Sequence, residues 1–90
     1  QKAPKASQFP ALVQQCKALV EADGAWLTAA QALLAHEAQM MATTRALSDK
    51  DPSWNPAADA MAETQAATER EVATATQTLA GDKEACPKVK

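Results

Sequence analysis

The chain has 90 residues and a formal net charge of −2 at pH 7, and alanine supplies 23 of its 42 hydrophobic residues. Such a length allows one small domain with a thin core, and the scarcity of β-branched and aromatic residues argues against a sheet. The acidic middle of the chain argues against nucleic acid as a partner, because a binding face for it needs a basic stripe. No membrane span is expected, because no stretch approaches the ~20 apolar residues that one requires.

The first predicted helix covers residues 9–22 and follows residues 1–7, which we expect to form a flexible lead-in. Pro10 is tolerated in the first turn of such a helix because its missing N–H would have no intrahelical acceptor there. Apolar residues recur at spacings of three and four, which predicts one apolar stripe. The stripe consists of Phe9, Leu12, Val13, Cys16, Leu19 and Val20.

A second predicted helix covers residues 25–47 and carries a similar stripe. Its apolar members are Trp26, Leu27, Ala30, Leu33, Leu34, Met40, Met41 and Leu47. The other positions are filled mostly by Gln31, Glu37, Gln39, Thr43 and Arg45. The spacing of three and four residues continues from Val20 through Asp23 to Trp26, so the stripes of the two predicted helices are in phase. Because Gly24 in a helix costs only about 1 kcal/mol relative to alanine, one continuous helix is as well supported as two helices with a corner.

The strongest break in the chain is the sequence SDKDPSWNP, which begins at Ser48. Asn55 followed by Pro56 is typical of an N-cap and a first helical residue. The third predicted helix covers residues 56–80, and Gly81 is expected to end it because glycine favours the C-terminal cap. Its apolar stripe is weak and consists of Met61, Gln65, Thr68, Val72, Ala75 and Leu79.

The expected fold class is all-α: an alanine-rich antiparallel helical hairpin, or a three-helix bundle in which the first helix folds back. In the hairpin, residues whose numbers sum to about 103 lie side by side, so Cys86, in the tail of residues 81–90, comes near Cys16. In the bundle the first helix ends at the same pole. Both topologies therefore allow a disulfide that clamps the chain.

This disulfide also indicates a compartment. Disulfides persist in oxidising environments, so the pair of cysteines predicts a periplasmic or secreted protein. The start at Gln1 is compatible with removal of a signal segment, or with a lipid anchor upstream of residue 1. The alternative is a cytosolic protein with two free thiols, one in the core and one in the tail.

A candidate partner-binding site lies at the loop. Trp54 stands among polar residues, and the hairpin places Met40, Met41 and Met61 close to it. Tryptophan is enriched at binding hot spots and methionine surfaces repack readily, so these four residues are candidate contacts for a protein partner. The alternative is a Trp54 side chain folded inward over the end of the core. Trp26, at the other pole, is expected in the core.

A second candidate site combines His36, Met40 and Met61. His36 and Met40 are four residues apart on one helical face, and thioether with imidazole is a ligand set for Cu(I) or for haem. Methionines at helical spacing more often fill gaps in a core, so we expect no cofactor.

Catalysis is not expected. The chain has one histidine, no tyrosine and no glycine-rich phosphate loop. The sequence favours a non-catalytic, exported interaction module, such as a periplasmic accessory, assembly, inhibitor or immunity factor, that binds a protein partner. If the first helix continues into the second, the stripe of the first helix is left uncovered, which predicts a homodimer.

Overall fold

The computed structural model describes residues 10–86, which form two long α-helices joined by a tight turn. Helix α1 spans Pro10–Lys50 and helix α2 spans Asn55–Ala85, with one turn of 3₁₀-helix, Pro52–Trp54, between them. The all-α class is confirmed. The predicted lead-in, residues 1–7, and the last four residues of the predicted tail lie outside the described residues. Within this range, no helix combines the length and the apolarity that crossing a membrane requires.

Helix α1 passes through Asp23 and Gly24 without interruption, so the structure has no boundary between residues 9–22 and residues 25–47. Gly24 does not have a positive φ, and a Cβ placed on it would meet nothing within 4 Å. Neither a turn nor a close approach therefore requires this glycine. Its cost of about 1 kcal/mol is small for a helix of 41 residues. The helix also extends beyond the predicted end at Leu47.

The turn between the helices is held by side chains on both sides of it. Asp51 accepts a hydrogen bond from the backbone N–H of Ser53 at 3.0 Å, and Pro52 supplies a φ suited to the turn. Asn55 does not cap α2 with its side chain as predicted. Its Oδ1 accepts a hydrogen bond from the Ser48 hydroxyl, which links the last turn of α1 to the start of α2.

Helix α2 continues past the predicted end at Ala80 to Ala85. Gly81 is exposed and does not adopt the left-handed conformation of a helix-ending glycine. The helical hydrogen bonding extends into the last residue described, because the Cys86 N–H donates to the Asp82 carbonyl at 2.9 Å. The extra turn carries Cys86 onto α1, so a tertiary link outweighs the local preference of glycine.

Cys16 and Cys86 form the predicted disulfide at the pole opposite the turn, with their Cα atoms 5.7 Å apart. Since the turn closes one end and the disulfide the other, α2 runs back along α1. Residues whose numbers sum to about 102 therefore lie at the same height on the two helices. In a chain-entropy treatment, a loop with a sequence separation of 70 gains about 4 kcal/mol from such a crosslink.

The less exposed residues of both helices recur at alternating spacings of three and four, which is the heptad pattern of a coiled coil. We call these residues the seam. On α1 the seam consists of Val13, Cys16, Val20, Asp23, Leu27, Ala30, Leu34, Glu37, Met41, Thr44 and Ser48. On α2 it consists of Ala58, Met61, Gln65, Thr68, Val72, Ala75, Leu79, Asp82 and Cys86. The stripe predicted on α2 lies entirely within it. Among the described residues, Ala30, Met41 and Ala75 are the buried hydrophobic ones, so the core is thin.

Candidate interaction surface

The apolar stripe predicted on α1 separates into two rows in the structure. One row belongs to the seam. The other lies beside the seam and consists of Leu19, Trp26, Leu33, Met40 and Leu47, which are 36% to 48% exposed. We call these five residues the outer row. They are spaced by seven, close to two helical turns, so they follow one line about 42 Å long.

The outer row is exposed because α1 has a wider apolar arc than one neighbouring helix can cover. A seam of two helices buries a narrow strip, with two positions in each heptad. The outer row occupies a third heptad position beside that strip. The structure therefore leaves apolar side chains along most of the described length of α1 in contact with solvent.

Trp26 is the member of this row that contacts α2. Its indole N–H donates to Glu71 Oε1 at 3.0 Å, while 36% of the residue stays exposed. The prediction that Trp26 lies in the core is therefore wrong. The residue borders the seam, and its polar edge finds a carboxylate while part of the ring remains in solvent. Glu71 consequently marks the side of α2 that adjoins the outer row.

The exposed surface that α1 itself contributes around the middle of the outer row is free of acidic and strongly basic groups. Residues 22–44 include two carboxylates, Asp23 and Glu37, and both are buried in the seam. His36 is exposed in the same stretch. Surfaces of soluble domains usually carry about 25–35% charged residues, so this face lacks the groups that normally keep a surface in water.

The seam contains carboxylates that the stripe analysis missed. Asp23 is 7% exposed and Glu37 is 4% exposed, and each has one carboxyl oxygen without a hydrogen-bond partner. A hydrogen bond with Asp82 raises the pKa of Asp23, with further contributions from burial and from the Asp82 charge. The assignment of Glu37 to the polar side is wrong. The sequence signal was an interval of seven, which connects Cys16 with Asp23, Ala30 and Glu37.

The structure divides the predicted group at the loop between surface and interior. Trp54, in the turn, and Met40, in the outer row, are each 43% exposed. Met41 is buried and Met61 is half-buried, both in the seam. The heptad positions explain why Met40 is exposed and Met41 is buried. Residue 41 falls at a seam position, whereas residue 40 falls in the outer row beside the seam. Trp54 and Met40 are thus the members available to a partner.

The predicted metal or haem ligands are also distributed over two environments. His36 and Met40 are exposed on the outward side of α1, whereas Met61 lies in the seam. Over residues 10–86, no group of three or more His, Cys, Asp or Glu side chains is arranged to hold a metal ion.

Comparison of the chain with known protein families, with curated proteins and with solved structures gives no match. The fold and its surface define the class: two antiparallel helices closed by a disulfide, with an uncovered apolar row on the longer helix.

Proposed function

We propose that this protein is a non-catalytic, exported helical hairpin that acts by binding a protein partner through the outer row. The observation that carries the proposal is the row itself. Taken as about 10 Å wide, the row covers about 400 Å², within the range of the largest apolar patches on monomers, which are often functional. Its place on a face with few charges supports an interaction surface over scattered apolar residues.

The row also indicates the kind of partner. A straight line of large side chains spaced by seven fits a second helix with its own apolar residues at matching intervals. Because α1 exposes no formal charge around the middle of the row, recognition by the row depends on shape and apolar contact. Binding should therefore change little between low and high salt, unlike an interaction steered by charge.

The disulfide supports the exported setting. A crosslink between Cys16 and Cys86 is stable where the environment is oxidising, and a thin core depends on it. Periplasmic accessory, assembly, inhibitor and immunity factors are small proteins that function in such settings by contact with another protein. The proposal places this chain among factors of that kind.

The carboxyl groups with perturbed pKa values support a non-catalytic role. An acid or base catalyst needs a shifted pKa in a cleft that a substrate can reach. The pKa of Asp23 is raised in the seam beside Asp82, and the pKa of Asp51 is lowered by hydrogen bonds from Ser53 in the turn. Both shifts therefore have structural causes.

The experiment compares two variants with the same change of charge. Leu33→Glu places a carboxylate at the centre of the outer row, whereas Ala35→Glu places one on exposed helix surface off the row. Each purified, oxidised protein is immobilised and exposed to an extract of its native compartment, and captured proteins are quantified by mass spectrometry. We expect Ala35→Glu to retain the partner and Leu33→Glu to lose at least tenfold. Equal capture by both variants would contradict the proposal.

A further inference from the structure

The face that contains the outer row also contains a line of small, exposed residues on α2. Ala67 and Thr74 lie four residues before and three residues after Glu71, so they share the side of α2 that the bond from Trp26 marks. With the residues seven positions further out, they form an exposed line. We call it the trough: Ala60, Ala67, Thr74 and Gly81.

The trough can be covered by apolar side chains without leaving polar groups unpaired. The Thr74 hydroxyl donates to the Arg70 carbonyl at 3.0 Å, and the neighbouring Thr64 hydroxyl donates to the Ala60 carbonyl at 3.0 Å. Both hydroxyl groups therefore already have hydrogen-bond partners on their own helix. At Gly81, a Cβ would meet nothing within 4 Å, so the space above the helix is open. Burial of the trough would thus cost little in desolvation.

We propose that the occupant of the outer row is a second copy of this chain, with the row of each copy seated in the trough of the other. This inference deepens the proposed function and rests on its premise that the row is an interaction surface. The arrangement is an isologous dimer, because the same face serves both copies. Its product is a four-helix bundle in which both turns lie at the same end.

The register of the two lines supports this pairing. A two-fold axis parallel to the helices does not move a residue along the helix direction. Each α1 residue of one copy therefore lies opposite α2 residues of the other copy at the same level along the helices as its α2 neighbours within its own chain. The disulfide sets that level at a residue sum of 102. The residue numbers of the facing pairs sum to 100. This differs by two residues from the sum within one chain, so the partners lie within about 3 Å of the same level along the helices. The pairs are Leu19 with Gly81, Trp26 with Thr74, Leu33 with Ala67 and Met40 with Ala60.

Size and area also favour a second copy. The large side chains of the outer row can interdigitate with the small residues of the trough. Two outer rows packed against each other would instead hold the helices of the two copies apart. The paired helices are about 19 Å wide, so along the ~42 Å row the face measures about 800 Å². A stable interface of standard size takes about 800 Å² of accessible surface from each partner, so the face is large enough to form one. Because α1 exposes no carboxylate and no strong base from residue 22 to residue 44, the row brings no like charge against α2 of the other copy.

The dimer leaves the turns open to other molecules. Because both turns lie at one end, the two Trp54 side chains are displayed together at that pole. Trp54 is outside both the row and the trough, and it is 43% exposed. The same molecule can therefore self-associate through one surface and present another.

The first test is the mass of the intact, oxidised protein by sedimentation equilibrium, for wild type and two alanine variants. Ala67→Leu fills the trough, and Ala62→Leu adds the same side chain at an exposed position off it. We expect wild type and Ala62→Leu to be dimers at micromolar concentration, and Ala67→Leu to raise the dimer dissociation constant at least tenfold. Circular dichroism of each variant verifies that helix content is retained.

The second test determines the arrangement by crosslinking. Leu33→Cys protein is mixed with Ala67→Cys protein, oxidised, and the new disulfides are mapped by non-reducing digestion and mass spectrometry. A mixed 33-to-67 crosslink at least tenfold above the 33-to-33 crosslink supports the row in the trough. A predominant 33-to-33 crosslink overturns this arrangement in favour of α1 packing on α1. An Ala62→Cys protein, with its thiol on exposed surface of α2 away from the trough, gives the background.

The outcomes separate this inference from the proposed function. A wild-type monomer at 0.5 mM, or a dimer that Ala67→Leu and Ala62→Leu affect equally, overturns the dimer. If that monomer still captures a partner that Leu33→Glu loses, the proposed function stands without a second copy. If Leu33→Glu and Ala35→Glu behave alike in both capture and sedimentation, both proposals fail.

Discussion

The carboxyl groups of Asp23 and Asp82 share a hydrogen bond across the seam, near the pole that the disulfide closes. A bond between two carboxyl groups requires a proton on one of them, which is why the pKa of Asp23 is raised above its ordinary value of 3.8. Protonation of this pair therefore stabilises the packing of the two helices.

The pair predicts a stability that increases in mild acid. Because the folded-state pKa of Asp23 is raised, its contribution is complete below the unfolded value of 3.8 and is lost as the pH rises through the folded value. We expect Asp82→Asn, which keeps a hydrogen-bond donor and removes one charge, to raise Tm at pH 7. The difference from wild type should disappear below pH 3.8. Thermal melts from pH 3 to pH 7 measure this, and Asp59→Asn, an exposed change on α2, should leave the wild-type slope intact.

Asp51 predicts the opposite pH dependence. The backbone N–H of Ser53, and then its side chain, lower the pKa of Asp51, so its contribution is present above the unfolded value of 3.8 and is lost as the pH falls through the lowered folded value. We expect Asp51→Ala to lower Tm by a few degrees at pH 7 and by much less at pH 2. Asp49→Ala, two residues earlier in the last turn of α1, is the matched control. An equal loss at both pH values would show that the charge of Asp51 does not stabilise the turn.

Removal of the disulfide is expected to loosen one pole first. Cys16→Ser with Cys86→Ser should lower the free energy of unfolding by about 4 kcal/mol. Hydrogen exchange should show the earliest loss of protection in α1 near residue 16 and in α2 near residue 86, because the turn still joins the other ends. Reductant should produce the same change in wild type and no further change in the double variant. Uniform loss of protection along both helices would contradict this order.

Glu37 is expected to lower stability where it stands. Its carboxyl is buried, with Oε1 unpaired, at the seam position that Cys16, Asp23, Ala30 and Thr44 occupy in other heptads. We expect Glu37→Leu to raise the free energy of unfolding by about 1–2 kcal/mol in urea denaturation, since an unpaired buried polar group is removed. Gln39→Leu, an exposed change on the same helix, should have little effect. A loss of stability in Glu37→Leu would indicate that the carboxyl has a partner in solution.

Spacing alone located much of the fold. The intervals of three and four identified the covered face of α2, and simple counting about the loop brought Cys86 to Cys16. These features depend on periodicity and chain reversal, which are local properties of a sequence. The same intervals were ambiguous for Trp26 and Glu37. A stripe on one helix does not tell which part of a wide apolar arc the neighbouring helix covers, and that choice is made by packing.

The glycines show a second limit of sequence interpretation. Gly24 and Gly81 were both candidate helix ends, because glycine is the residue most often found there. In the structure both lie inside continuous helices, and each costs about 1 kcal/mol relative to alanine. For Gly81 this cost is offset by the disulfide, because the last turn of α2 positions Cys86 beside Cys16. Local preference cannot predict such a tertiary contact.

The disulfide between Cys16 and Cys86 has a consequence for cleavage of the backbone. A protease that cuts the exposed turn between Lys50 and Asn55 would produce two fragments that remain covalently joined through Cys16 and Cys86. The nicked protein would stay one species under non-reducing conditions, heavier by one water molecule, and would separate into two peptides when reduced. The protein can therefore lose the continuity of its backbone at one pole and stay a single molecule, with the disulfide in place of the turn as the link that holds the helices together.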